Sequence, residues 1–376
     1  MLLSFALTNC RNFNTRAQLD FHTRATGAED IDGLFRFGDL QINRATFLWG
    51  ANGAGRSNFI EALGDLVQFI AGRKSASQLT GLQPHSLHPD LPTQAELLFL
   101  LDGTTYRYTL QLQHGEVVQE VLSAKHSRQF STVFEVNHGA VKPTRNRHQG
   151  KFASAAAESQ LDTGTSLITL ANKSGSEQAA QVFRYFYVIQ CFTPRQHPEQ
   201  VWSQTLAKLQ QPHVLAAASK SLSCMDLGLT SIELDPHNPT GLIANLPMDD
   251  GQTAQLPYPQ IGGGAISILT YLVGLITTIE TNSPLLIDDM DNRLHPLLMQ
   301  MYLKLYQEHR SLEDGHAPQL VASVRHAELM DKLERQQIAL FDNDEIYTLN
   351  SVTGIRAGDC YSSKYLAGAY GAVPNL

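Results

Sequence analysis

Cysteine is scarce: the 376-residue sequence holds four, Cys10, Cys191, Cys224 and Cys360. No two fall at a metal-ligand spacing, which argues against a zinc ribbon or a disulfide framework and leaves free thiols as the expected state. The 14 histidines form no HExxH pattern, and no nucleophile elbow is present. Positive charge is not in excess either: the formal net charge is −8 and the pI about 5.9. A surface that coats nucleic acid throughout is therefore excluded, and any such contact must come from a local patch. The longest apolar stretch, Ala265–Ile279, is too short and too interrupted by Ser, Thr and Tyr to cross a membrane. Met1–Phe13 has no basic start followed by an apolar run, so no signal peptide is expected. No heptad run exists, so no long coiled coil is expected. What remains is an ordinary globular composition, 43% hydrophobic and 17% charged. It reads as a cytoplasmic protein with one elaborated domain or two interleaved lobes.

Leu2–Leu7 and Ala45–Trp49 read as short strands, the second ending in glycine. Ser57–Ile70 follows as a helix, with Phe59, Ile60, Leu63, Leu66, Val67 and Ile70 at helical spacing. Glu96–Leu101, Thr104–Gln113 and Val117–Leu122 are separated by Asp102-Gly103 and His114-Gly115. They read as an antiparallel meander, because Asp-Gly supplies the positive φ angles of a tight hairpin. Ser123–Lys151 is polar and weakly periodic. It sets six basic residues, Lys125, Arg128, Lys142, Arg145, Arg147 and Lys151, against one acid, Glu135. Such a run is usually a solvated loop, and otherwise a contact for a nucleic-acid backbone or an acidic partner. Ala153–Gln190 and Glu199–Leu222 read as helical, Leu227–Leu234 as a strand and Asp235–Pro259 as a loop. A glycine triplet, a helix (Ser267–Glu280), a strand (Pro284–Asp289), a helix (Pro296–His309), a strand (Gln319–Val324) and a closing segment follow. Strands and helices alternate at both ends, which suggests an α/β core split by an insertion.

Two motifs carry chemistry. Gly50-Ala51-Asn52-Gly53-Ala54-Gly55-Arg56-Ser57 fits the phosphate-loop pattern GxxxxGK[ST] except at Arg56. Glycines let the backbone turn its N–H groups toward phosphate oxygens, the following helix adds its positive end, and Ser57 supplies a hydroxyl for magnesium. The bland alternative is a glycine-rich turn that only caps a helix. Arg56 keeps the lysine's charge but spreads it over a longer, planar fork. Far downstream, Leu285-Leu286-Ile287-Asp288-Asp289 is an apolar strand ending in two carboxylates. In phosphate-loop enzymes the first such acid binds magnesium.

That strand continues as Met290-Asp291-Asn292-Arg293-Leu294-His295-Pro296. Here the chain resembles the ABC/SMC-like AAA family ATPases of the OLD-related, abortive-infection type, whose strand runs on into Asp-Asn-Ser-Leu-His-Pro. Asn9-Cys10-Arg11-Asn12-Phe13 is similar to that family's Asn-Phe-Arg-x-Phe, whose arginine lies near the nucleotide. Asp102–Tyr108 is similar to its antiparallel-sheet motif. Tyr365-Leu366-Ala367-Gly368-Ala369-Tyr370-Gly371-Ala372-Val373-Pro374 is similar to its Tyr-Leu-x-Gly-x-Tyr-Gly-Ala-Ile-Pro tail. The resemblance implies an α/β P-loop NTPase fold: a two-lobed ABC/SMC-like head with an antiparallel β subdomain and a helical insertion. It divides the chain into an N-terminal ATPase lobe (1–124), a basic loop and helical insertion (125–225) and a C-terminal ATPase lobe (226–376).

The resemblance also implies ATP and Mg2+ as cofactors. Arg11, Asn52, Gly53, Gly55, Arg56, Ser57 and Asn58 would bind nucleotide, with Ser57 and Asp288 toward the metal. The family's Ser-Asp-Gly-Thr signature, which reaches across a dimer to the γ-phosphate, falls on Gly262-Gly263-Gly264-Ala265, so its serine is missing. The catalytic glutamate falls on Asp289, one methylene short, and a displacement of about 1 Å costs on the order of 100-fold in rate. The switch histidine falls on Arg325, or a shift of one residue puts His326 there. Four departures together imply weak or lost hydrolysis. The expected partners are further copies of the chain, in a homodimer or higher homo-oligomer, and a separate effector protein in anti-phage defence, a nuclease (often of toprim type in that family) or a toxin. Nucleic acid through Lys125–Lys151 stays open. The alternatives are a DNA-acting SMC or repair-type ATPase and a structural pseudo-ATPase that binds no nucleotide.

Overall fold

The computed structural model describes residues 1–24, 33–125, 128–142, 164–196, 198–225, 227–238, 241–258, 260–292, 294–308, 317–356 and 358–374. Its centre is a six-stranded sheet in the order Gln190–Phe192, Pro284–Ile287, Gln319–Ser323, Ala45–Gly50, Ile338–Asp342, Glu345–Thr348. All pairs are parallel except the last. Parallel strands are covered on both faces and read as continuous apolar runs, as Pro284–Ile287 does. Successive side chains alternate between two cores. Ala45, Phe47, Trp49, Leu285, Ile287, Leu320, Ala322, Ile338 and Leu340 enter one; Leu48, Leu286, Val321, Ala339 and Phe341 enter the other.

The second of these cores lies against a seven-stranded antiparallel sheet. Its order is Ala140–Val141, Ser131–Asn137, Glu116–Lys125, Thr104–Gln113, Thr93–Leu101, Leu2–Thr8, Ala17–Asp20. The turns at Asp102-Gly103 and His114-Gly115 both have positive φ at each residue (48° and 72°, 52° and 79°), as a two-residue hairpin with right-handed strand twist requires. His138-Gly139 repeats the device (44° and 73°). The helix Arg56–Ile70 shares this core. Its Phe59 ring packs edge-on against Phe5 of the antiparallel sheet (5.0 Å between centroids) and Phe341 of the parallel sheet (5.4 Å). Helices Leu167–Lys173 and Glu177–Val188 also contribute to it. Helices Pro198–Leu209, Pro212–Ser223, Gly263–Thr281 and Pro296–Glu308 belong to the other face.

The structure departs from the sequence reading in three places. Asp235–Pro259, expected as a loop, contains strands Leu242–Pro247 and Thr253–Pro257, which join Ser231–Leu234 in a three-stranded sheet. Turn-forming residues at the strand ends hid them, while Leu242 and Ala244 are fully buried. In the polar stretch Ser123–Lys151, Ser131–Asn137 and Ala140–Val141 extend the antiparallel sheet, burying Val133, Phe134 and Val136 on it. The closing segment holds Ile338–Asp342 and Glu345–Thr348, which complete the parallel sheet. Residues 143–163, with Arg145, Arg147, Lys151 and the start of the expected helix at Ala153, lie outside the described residues.

One buried side chain joins the two large sheets. Gln319 accepts the Leu2 N–H (2.7 Å) and donates to the carbonyls of Leu2 and Asn43 (3.0 Å each). Its replacement by leucine leaves one donor and two acceptors buried without partners. Gln319→Leu is expected to cost about 3 kcal/mol, since each buried orphan costs roughly 1–3 kcal/mol. Urea denaturation checks this; a loss below about 1 kcal/mol would contradict the bridge.

Candidate functional site

The strand Ala45–Gly50 runs into the glycine-rich loop, and the loop into the helix Arg56–Ile70. Strand, loop and helix thus occur in the order the motif demands. Gly55 has φ +100°, and a Cβ there would strike the Asn12 amide and lie 2.7 Å from Phe13 Cζ. Gly53 is different: its φ is +86°, but a Cβ would meet nothing within 4 Å. Glycine is needed there for backbone conformation, and the space beyond it is open. Asn52 and Gly53 form the exposed crown of the loop. Among the described residues no side chain caps the helix start, so its first N–H groups suit an anion.

Ser57 and Asp288, 231 residues apart, meet: the Ser57 hydroxyl donates to Asp288 Oδ1 at 3.0 Å. Ser323, at the end of the strand between the loop strand and the acidic strand, donates to the same oxygen at 2.5 Å. Burial pushes the Asp288 carboxyl above its usual range, and the two hydroxyls pull it back in part. Hydroxyl and carboxylate side by side are the hard oxygen donors magnesium takes.

Arg56 is 9% exposed, and its guanidinium donates to the Val324 carbonyl at 2.6 Å. Burial lowers its pKa, with Asp289 the largest opposing influence. The fork is thus engaged at the end of a neighbouring strand.

Asp289 has φ +50°, a left-handed backbone that is uncommon for aspartate, and its N–H donates to Ser323 Oγ at 2.7 Å. Arg325 grips its carboxylate with two donors, Nε to Oδ1 at 3.2 Å and Nη2 to Oδ2 at 2.7 Å. That bonding raises the Arg325 pKa. Two of the four departures from the family pattern are therefore partners of each other. His326 faces elsewhere: its carbonyl accepts the Trp49 indole N–H (3.2 Å), and its ring lies 4.0 Å from Glu328. Asp291 holds both residues in place, with one carboxylate oxygen accepting the N–H groups of Arg325 (2.5 Å) and His326 (2.6 Å).

Arg11 reaches the loop helix. It donates to Asn58 Oδ1 (2.6 Å) and Glu61 Oε2 (2.5 Å), and Asn58 donates in turn to Asn12 (2.7 Å). Gly262, Gly263 and Gly264 stand at the start of the helix Gly263–Thr281, which has no side-chain cap; Gly262 and Gly263 are exposed. No hydrogen bond joins them to the phosphate loop among the described residues. In the basic stretch, Lys142 is paired with Glu135 (2.6 Å), and Lys125 lies over the Phe130 ring at 6.0 Å.

Sequence reasoning missed Ser323, Asp291 and Tyr365 as members of the site. Ser323 carries no motif signal. Asp291 stood within the family-like string after the acidic strand. Tyr365 stood in the tail. Its hydroxyl donates to the Ala372 carbonyl at 3.0 Å, and both Arg56 and the Gly50 N–H act on it, so the tail lies against the base of the loop.

No protein-family model matches the chain, and no curated protein matches it. Among solved structures the chain is similar to the SMC head domain from Thermotoga maritima. The TM-score is 0.45 and the identity 14%, over 92% of this chain and 97% of that one. At that identity the likeness says nothing of the chemistry at the loop.

The raised carboxyl at Asp288 has a measurable consequence. A carboxyl whose folded pKa exceeds its unfolded one adds stability at low pH and loses it as pH rises through the folded value. At pH 7 the Asp288 charge therefore weighs against the ligand-free fold. Asp288→Asn, which keeps an acceptor for Ser57 and Ser323, is expected to raise the melting temperature at pH 7. The gain should shrink as pH falls into the carboxylate range. Melting curves at several pH values check this; a variant less stable at pH 7 would overturn it.

Proposed function

We propose that this chain binds ATP with magnesium at the loop Gly50–Ser57 and at Asp288, and hydrolyses it slowly or not at all. The observation that carries the reading is the meeting of Ser57 and Asp288 at 3.0 Å behind an uncapped helix start. ATP with its metal would supply phosphate charge and a cation there. The chain's own part is to present loop N–H groups from Asn52 to Gly55, the Ser57 hydroxyl and the Asp288 carboxylate. Slow hydrolysis follows from the Asp289–Arg325 pair: a carboxylate gripped by two guanidinium donors is a poor acceptor for a water proton. Arg325 as a fixed cation is suited to holding a phosphate rather than to switching.

In this reading the chain works as a homodimer or larger assembly of SMC/ABC-type heads, with Gly262–Gly264 offered to a second copy. It controls a separate effector, of toprim-nuclease type, in anti-phage defence. The support is the family-like string Asp288–Pro296 and the tail Tyr365–Pro374. A second reading, a pseudo-ATPase that binds no nucleotide, draws on the engagement of Arg56 by the Val324 carbonyl.

Thermal melting with and without ATP and magnesium separates the two. At 100 times the dissociation constant, ligand adds about 2.7 kcal/mol. The stabilisation should vanish in Ser57→Ala and Asp288→Ala, and no stabilisation of the unsubstituted chain would leave the pseudo-ATPase. Phosphate release is expected well below about 1 per second, near which many ordinary enzymes work. The double variant Asp289→Glu, Arg325→His should release phosphate at least roughly tenfold faster, which corresponds to about 1.4 kcal/mol of barrier. Faster turnover by the unsubstituted chain would sink the impaired-hydrolysis claim.

A further inference from the structure

A cavity of about 780 Å³ lies between the helix Arg56–Ile70 and the helices Pro198–Leu209 and Gly263–Thr281, with strand Gln190–Phe192 in its wall. None of residues 50–57 lines it, so it is separate from the phosphate loop. Its size falls in the range of small-molecule sites, roughly 300–1,000 Å³.

The charges in its wall do not balance. Glu61 is taken by Arg195 (2.9 Å) and by Arg11 (2.5 Å). Asp65 is taken by Lys74 and by the Gly81 N–H, both at 2.6 Å. Two cations in the same wall have no carboxylate partner among the described residues. Arg73 donates to the Tyr187 carbonyl (2.7 Å) and lies over the Tyr187 ring at 4.4 Å. Lys208, half-buried, makes no ion pair among the described residues. Gln68, Gln190, Gln200 and Gln204 also line it. Cations without counterions in a concave wall, beside neutral donors and acceptors, suit a negatively charged small molecule.

We propose that this cavity binds a small oxyanion ligand, a polycarboxylate or a phosphate compound. Lys208 and Arg73 carry its charge, and the glutamine amides take its other polar groups. The site stands independently of the nucleotide reading.

Calorimetry on the whole chain in buffer stripped of divalent metal on a chelating resin, with citrate and with inorganic pyrophosphate as probes, tests it. At least one probe is expected to bind, and Lys208→Gln should weaken that binding at least tenfold. Adding Arg73→Gln should weaken it further. Citrate alone identifies a polycarboxylate site, pyrophosphate alone a phosphate site. Hydrogen exchange should slow in residues 190–209 when the probe binds. Lys208 is a helix-surface position, so its variant keeps the fold even where the double variant does not. Binding of neither probe, or binding that Lys208→Gln leaves unchanged, overturns the proposal. A chain that binds no ATP yet shows Lys208-dependent binding refutes only the nucleotide reading.

Discussion

The Asp288 carboxylate is the point on which the site depends. One of its oxygens accepts hydroxyls from the start of the loop helix and from the end of a second strand. It thereby ties the loop helix and two strands of the parallel sheet to one place. Ser323 works in both directions, donating to Asp288 and accepting the Asp289 N–H. That double use fixes the left-handed turn at Asp289 and so decides where its side chain points. Taking such a carboxylate out of water is unfavourable unless donors replace the lost hydration. Two hydroxyls replace part of it, and burial still holds the carboxyl above its usual range. Under the nucleotide reading, a cation held there would relieve the charge that burial leaves under-compensated.

Asp289 and Arg325 make a second point about such sites. Read from the sequence, each is a departure from the pattern of the family the chain resembles. Together they are a bidentate pair, in which a shorter acid and a longer base span the same gap. The Arg325 side chain is 59% exposed, and exposed pairs contribute little, about 0–1 kcal/mol. The pair therefore adds little to the stability of the fold, and its effect is on where the Asp289 carboxylate points.

Much of this was legible in the sequence. Strand, glycine loop and helix follow from turn chemistry and from apolar spacing at Phe59–Ile70. The hairpins at Asp102-Gly103 and His114-Gly115 follow from the need for positive φ. Ser57 and Asp288 were readable as a pair from motif order together with the family-like string that follows the acidic strand. Three things were not. The strands Leu242–Pro247 and Thr253–Pro257 exist through pairing with distant neighbours, against local turn-forming composition. The grip of Arg325 on Asp289 depends on rotamers, which spacing does not encode. Ser323 is an ordinary serine until the sheet places it beside an acid.

The position of the loop strand in its sheet bears on how the protein is made. Ala45–Gly50 leaves the ribosome early, yet its neighbours are Gln319–Ser323 and Ile338–Asp342. Until those segments emerge, the strand has no partners in the sheet and Ser57 has no carboxylate to meet. Contacts so far apart in sequence form slowly and late. An interrupted product therefore carries a phosphate-loop sequence without a phosphate-loop site.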